Sequence, residues 1–198
     1  MSRSPRETGA APAAARRLTT SDLGSALALA VSVFALALGA YQTRLMQSQA
    51  RASVWPFLSI GYTYSSNVDR DAFIWTVNNN GVGPAKVETV RVTLDGKPMH
   101  DWEQVLVALG APSTSPSMAT SSIGGEVIPP NTNRETTVAP IKLNERDVAR
   151  LFKAAEHRLG MDICYCSVYD ECWVAHWQHS RVDAVERCEA LGGDAFSN

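Results

Sequence analysis

Hydrophobic positions follow two different regimes along this chain. Between Asp22 and Arg44 no residue is charged, and residues 23–41 read LGSALALAVSVFALALGAY without a polar face. Nineteen residues at 1.5 Å per residue make about 28 Å of helix, close to one bilayer hydrocarbon core. A buried core helix of that length would carry a polar stripe, so the run predicts a transmembrane helix over residues 23–41. The helical pattern continues through residues 42–53 with neither Gly nor Pro before Pro56, which predicts a helical stalk.

From Val54 onward the period drops from helical to about two. Residues 54–64 (VWPFLSIGYTY) place Val54, Leu58, Ile60 and Tyr62 in phase, with Pro56 at a strand start or edge. Residues 72–78 put Phe73, Trp75 and Val77 on one face, and residues 85–94 form a third strand. There Val87 is out of phase with Val90, Val92 and Leu94, which predicts a bulge near Glu88-Thr89. Asp95-Gly96 is a two-residue hairpin signal leading into residues 97–100. Further strands are expected at residues 125–128, 134–141, 161–168 and 172–177. Two helices interrupt them. Asp101 caps one carrying Trp102, Val105, Leu106 and Leu109, and Asn144 caps another carrying Val148, Leu151, Phe152, Ala155 and Leu159. Residues 111–125 (APSTSPSMATSSIGG) have no charge and read as a mobile surface loop. The pattern predicts a mainly β fold: an antiparallel immunoglobulin-like β-sandwich over residues 54–198, with one or two inserted helices, behind a transmembrane helix.

Charge changes this picture by giving it a direction. The 198 residues carry a net −2, but residues 1–22 hold four arginines against two acids, leaving −4 on the remainder. The basic tail puts the N-terminus in the cytoplasm and the β domain outside it. Two other fates compete for the same segment: a signal peptide cleaved at Ala37-Leu38-Gly39, and a mitochondrial leader built on the Ala/Arg-rich first 20 residues. Against cleavage, the apolar run exceeds the ~7–15 residues of a signal core. A mean hydropathy of −0.11 excludes a multi-span protein, and the near-neutral charge argues against a nucleic-acid partner.

The turn Asn78-Asn79-Asn80-Gly81-Val82-Gly83-Pro84-Ala85 resembles one found between two strands in bacterial envelope proteins that have a single N-terminal span and an immunoglobulin-like domain. Residues 50–56 (ARASVWP), 90–98 and 165–173 share that resemblance, which covers about a third of the chain. It implies a membrane-tethered domain outside the cytoplasm. Together with the span and the basic tail, the expected address is the bacterial inner membrane with the domain in the periplasm, and the expected partners are the bilayer and a protein of the envelope. The resemblance implies no cofactor and no catalytic residue. Read physically, Asn80, Gly81, Gly83 and Pro84 form a structural turn: the glycines permit φ > 0 and Pro84 fixes entry into the next strand. A phosphate-binding loop would open a helix, whereas residues 86–92 read as strand.

Candidate chemistry gathers late in the chain, at Cys164, Cys166, Cys172, His176, His179 and Cys188. Outside the cytoplasm an even cysteine count suggests disulfides. Cys164 and Cys166 fall on the same side of a strand, so each is expected to pair with Cys172 or Cys188. A metal site and buried free thiols are the other readings, although the spacing matches no standard zinc motif. No nucleophile elbow or EF-hand ligand series is present, and Asp69/Asp71 and Asp170/Glu171 fall in predicted turns, so an enzyme is not expected. Trp55 and Phe57 are candidate membrane-proximal contacts, with packing into the sandwich as the alternative. Three roles follow: a tethered binding module, an accessory subunit held through its span, and a thiol- or metal-dependent activity at the Cys/His cluster.

Overall fold

A computed structural model describes residues 20–67, 71–112, 118–130, 137–177, 179, 181–191 and 196–197. Helix α1 runs from Thr20 to Ala52 without interruption, and none of its residues is buried. It is long and apolar enough to cross a membrane. Three of its hydroxyls bond back to the helix: Ser25 Oγ donates to the Ser21 carbonyl at 2.9 Å, Ser32 Oγ to that of Ala28 at 2.8 Å and Thr43 Oγ1 to that of Gly39 at 2.9 Å. Such back-bonding removes the cost of placing a free hydroxyl in hydrocarbon. The chain divides into two units, residues 1–48 and 49–198.

The second unit is built on two antiparallel sheets. Strand β1 (Leu58–Ser66) pairs along its full length with β2 (Asp71–Asn79). Strand β3 (Ala85–Leu94) turns tightly into β4 (Lys97–Met99). Asp95 and Gly96 at that turn have φ of 53° and 75°, the left-handed pair that a two-residue hairpin of the right twist demands. Helix α2 (Trp102–Ala108) starts on Asp101, whose carboxylate accepts the Gln104 N–H at 2.7 Å. It is followed by β5 (Met118–Thr120), β6 (Val127–Ile128), β7 (Ile141–Leu143), helix α3 (Arg146–Ala154), β8 (Leu159–Cys166), β9 (Cys172–His176) and β10 (Val182–Val185). A short 3-10 helix, Cys188–Leu191, comes after them. One sheet has the order β1-β2-β7-β5 and the other β10-β9-β8-β3-β4, with β6 also paired to β3. The β3–β8 register shifts between Val87 and Thr89, at the expected bulge.

Both sheets contribute to one core. Phe73, Trp75 and Val77 of β2 share it with Val90 and Val92 of β3, Ile163 and Tyr165 of β8, and Phe152 of α3. The period-two face of β2 is therefore buried as its alternation requires.

Several elements depart from expectation. Residues 54–57 do not join β1, because their backbone is held by the loop after β2. The uncharged stretch 111–125 contains β5, paired to β7, and a buried Ile123. Its pairing partners lie 21–25 positions away, so no local signal announces it. Of the strand expected over 134–141, residues 134–136 lie outside the described residues; Val138 bridges Val77, and β7 begins only at Ile141. Glu145, one residue after the expected Asn144, occupies the N-cap position of α3, without a side-chain capping bond. That helix ends at Ala154, so Leu159 opens β8 instead of extending the helical face, and Ala149 is buried where Leu151 was expected.

Among the described residues, the buried polar and charged side chains are Asp71, Asn79 and Ser167, and each holds a chain reversal. Asp71 accepts from Ser66 Oγ at 2.9 Å across the β1–β2 end and pairs with Arg150 of α3 at 2.5 Å. The Ser66 hydroxyl, aided by Arg150 and opposed by burial, holds its carboxyl below the ordinary carboxylate range. Ser167 Oγ accepts from the N–H groups of Tyr169 (3.1 Å) and Glu171 (3.4 Å), closing the β8–β9 turn.

Candidate functional site

The entrance to the β unit is a clamp made of the Asn/Gly turn and residues 54–57. Asn79, at the end of β2, accepts from Phe57 N–H at 3.1 Å and Gly81 N–H at 3.0 Å. Its Nδ2 donates to the carbonyls of Gly83 (2.8 Å) and Ile128 (3.0 Å). Asn80 N–H donates to the Phe57 carbonyl at 2.7 Å and Val82 N–H to that of Trp55 at 2.9 Å, while Asn80 Nδ2 donates to Ser59 Oγ at 2.8 Å. Gly81 and Gly83 do not adopt positive φ, which corrects the sequence reading of these positions. They are required for contact: a Cβ on Gly81 would lie 2.4 Å from the Trp55 carbonyl oxygen, and one on Gly83 only 1.9 Å from that of Val54. Pro84 leads directly into β3. The central residue, Asn79, was read only as part of the turn; its signal was the middle Asn of three, at the buried phase of β2. Trp55 is 45% exposed, Phe57 is half-buried, and their rings lie 5.8 Å apart.

The four cysteines assemble on the face of the second sheet that is turned away from the main core. Along β8, Ile163 and Tyr165 point into the core, whereas Cys164 and Cys166 form a second cluster with Cys172, Val174 and Cys188. Cys166 lies directly opposite Cys172 in the β8–β9 pairing, and these two are disulfide-bonded. The 3-10 helix brings Cys188 to Cys164, forming the second bridge. Cys166 Sγ and Cys188 Sγ, members of different bridges, are 3.7 Å apart. An open groove of about 390 Å³ adjoins Cys166, Cys172 and Cys188, and it carries Glu88, Asp170, Glu186, Glu189 and Arg187. Cys164 is fully enclosed.

The sulfurs of Cys166, Cys172 and Cys188 are all within 4.8 Å of one another, close enough to hold a metal ion. In bridged form they offer no thiolate, the form that ligates metal. The histidines take other partners. His176 Nδ1 is 2.7 Å from Asp162 and its Nε2 is 3.3 Å from Asp183, while His179 Nδ1 is 2.9 Å from the Trp177 carbonyl. Arg91 completes the Asp162 group at 2.6 Å. Asp170 and Glu171 are paired with Lys86 (2.7 Å) and Arg51 (3.2 Å), and Asp69 lies outside the described residues.

A third feature runs along β1. Val77 exchanges both backbone bonds with Val138, so its groups point away from β1. Asn80 N–H meets the Phe57 carbonyl, whereas Leu58 N–H turns the other way and donates to Tyr165 Oη at 3.3 Å. Antiparallel ladders alternate, so the N–H and C=O of Ile60, Tyr62 and Tyr64 point outward from the sheet edge. Among the described residues these groups meet no backbone partner. An open groove of about 350 Å³ borders that edge, lined by Ile60, Gly61, Tyr62, Glu156, His157 and Trp177. Lys153 reaches Tyr62 Oη and Glu156 at 2.6 Å each.

Comparison with family models, curated proteins and solved structures returned no match.

Proposed function

We propose that this is a single-pass protein of a bacterial inner membrane, with its N-terminus in the cytoplasm and its β domain in the periplasm, acting as a tethered binding module. The reading takes the two sheets as an immunoglobulin-like sandwich, supported by their shared core. The uninterrupted apolar α1 and the basic residues before it support the tether and its direction. The bridged cysteines favour an oxidising compartment.

The observation that carries the binding role is the outward edge of β1 beside its groove. A nine-residue edge strand without a charge or proline is unguarded against pairing, and it suits an extended segment of another envelope protein added as a strand. Purification of the full-length chain from membranes tests this. A partner retained by the wild type and lost with Tyr62→Pro, which removes one outward N–H, supports strand addition. Equal recovery by the variant overturns it. A partner captured as well by residues 1–53 alone establishes the accessory-subunit reading instead.

Topology is tested separately. A protease added to spheroplasts digests the β domain if it is periplasmic, and a domain protected until lysis overturns the orientation.

A further inference from the structure

We propose that the two disulfides are an exchangeable pair, forming a thiol–disulfide relay that enters at Cys172 and passes from Cys166 to Cys188. This goes beyond the binding role and does not depend on it. Separate structural bridges need no contact with each other. Here Cys166 Sγ lies 3.7 Å from Cys188 Sγ, at sulfur–sulfur van der Waals contact. Cys166, Cys172 and Cys188 line the open groove and keep 5–9% of their surface exposed, while Cys164 has none, so the groove leads to the outer bridge and the inner bridge ends in a sheltered sulfur.

The chemistry balances without a cofactor. A substrate thiolate attacks Cys172 Sγ, forming a mixed disulfide, and the Cys166–Cys172 bond breaks with its electron pair leaving on Cys166. The Cys166 thiolate then attacks Cys188 Sγ. A Cys166–Cys188 bond forms, the Cys164–Cys188 bond breaks, and Cys164 departs as thiolate and takes a proton. A second substrate thiol resolves the mixed disulfide and frees Cys172. Two substrate thiols become one disulfide; the protein gains two electrons and two protons, held as the thiols of Cys164 and Cys172. Exchange of this kind requires only a thiolate and access to the attacked sulfur.

The groove's charge selects the substrate class. Glu88, Asp170, Glu186 and Glu189 line the groove with a single arginine, Arg187, and Lys86 pairs with Asp170 at 2.7 Å. The excess of carboxylates disfavours an anionic thiol and favours a cationic one, such as a cysteine in a basic segment.

The test uses the full-length chain in detergent. In Cys172→Ser the Cys166 thiol is free beside an intact Cys164–Cys188 bridge. After incubation at pH 8 and acid quench, the disulfide map is expected to contain Cys166–Cys188, with alkylation divided between Cys164 and Cys166. Alkylation confined to Cys166 overturns the relay. Should that variant misfold, wild-type protein treated with limiting cysteamine gives the same readout: Cys166–Cys188 supports the relay, and an intact Cys164–Cys188 bridge with Cys166 and Cys172 both reduced overturns it. Rates corrected for thiolate fraction are then compared for cysteamine, 2-mercaptoethanol and mercaptoethanesulfonate. The cationic thiol is expected to react about tenfold faster than the anionic one at low salt, with the gap closing at high salt. Equal rates at low salt overturn the substrate class.

Discussion

Asn79 holds Phe57 by a single side-chain bond, its Oδ1 accepting the Phe57 N–H at 3.1 Å, while its Nδ2 reaches the carbonyls of Gly83 and Ile128. One buried amide thereby joins the entry segment, the turn after β2 and strand β6. Replacing it with Ala leaves several backbone groups without their side-chain partner. At ~1–3 kcal/mol for each buried group left unsatisfied, a loss of about 2–4 kcal/mol is expected after partial rehydration. Urea unfolding of the detergent-solubilised chain measures it; a loss below ~1 kcal/mol would mean that the clamp is held elsewhere.

The glycines separate into two kinds, and substitution tells them apart. Gly96 has φ of +75° with open space around it, so Gly96→Ala is expected to cost only the ~1–2 kcal/mol of a left-handed residue. Gly83→Ala drives a Cβ into the Val54 backbone, which no side-chain rotation relieves. Its unfolding midpoint should fall well below that of Gly96→Ala, and limited trypsinolysis at Arg51 should accelerate in that variant alone.

Local chemistry was legible from sequence where a residue's role is decided by its neighbours. The Asp95-Gly96 hairpin, the Asp101 cap and the bulge near Glu88-Thr89 depend on adjacent residues and appear where the pattern places them. Distant pairing hid the rest. Strand β5 exists because β7 accepts it, and β10 pairs with β9 at the sheet edge. For the cysteines, strand alternation put Cys164 and Cys166 on one side but did not choose their partners. That choice came from the short β8–β9 turn, which sets Cys166 opposite Cys172. At Gly81 and Gly83, where the chain bends between β2 and β3, the physical demand is proximity to residues 54–57 and not handedness.

Asp71 gives the fold an acid limit. Its carboxyl is held below the usual range by Ser66 and Arg150, so the folded state binds its proton less readily than the unfolded chain. The stabilisation is complete above the unfolded value of ~3.9 and is lost as pH falls through the lower folded value. Asp71→Asn should therefore be less stable than wild type at pH 7, with the difference shrinking below about pH 4. A difference independent of pH between 2 and 7 would assign the effect to packing alone.

Tyr165 sets the opposite limit. Burial pushes its hydroxyl up to about 12, partly countered by the Leu58 N–H bond. Between the unfolded value of ~10 and the folded one, only the unfolded chain ionises there, so stability declines with rising pH across that window. Tyr165→Phe removes this alkaline loss but leaves the Leu58 N–H unpaired, at a cost of ~1–3 kcal/mol near neutrality. Unfolding curves at pH 7 and pH 11 should therefore converge for wild type and variant as pH rises.

The Cys164–Cys188 bridge also has a mechanical meaning. A covalent link spanning 24 positions takes the intervening segment, with β9 and β10, out of any force path that reaches the chain beyond residue 188. Tension between the bilayer and a load on the far terminus would pass straight from β8 to residue 188. In single-molecule pulling, the oxidised chain should yield roughly 80 Å less extension than the reduced chain, at ~3.3–3.6 Å per residue for 24 residues. In an anchored protein, that shortcut keeps β9 and β10 unstretched while β8 and the rest of the domain bear the strain.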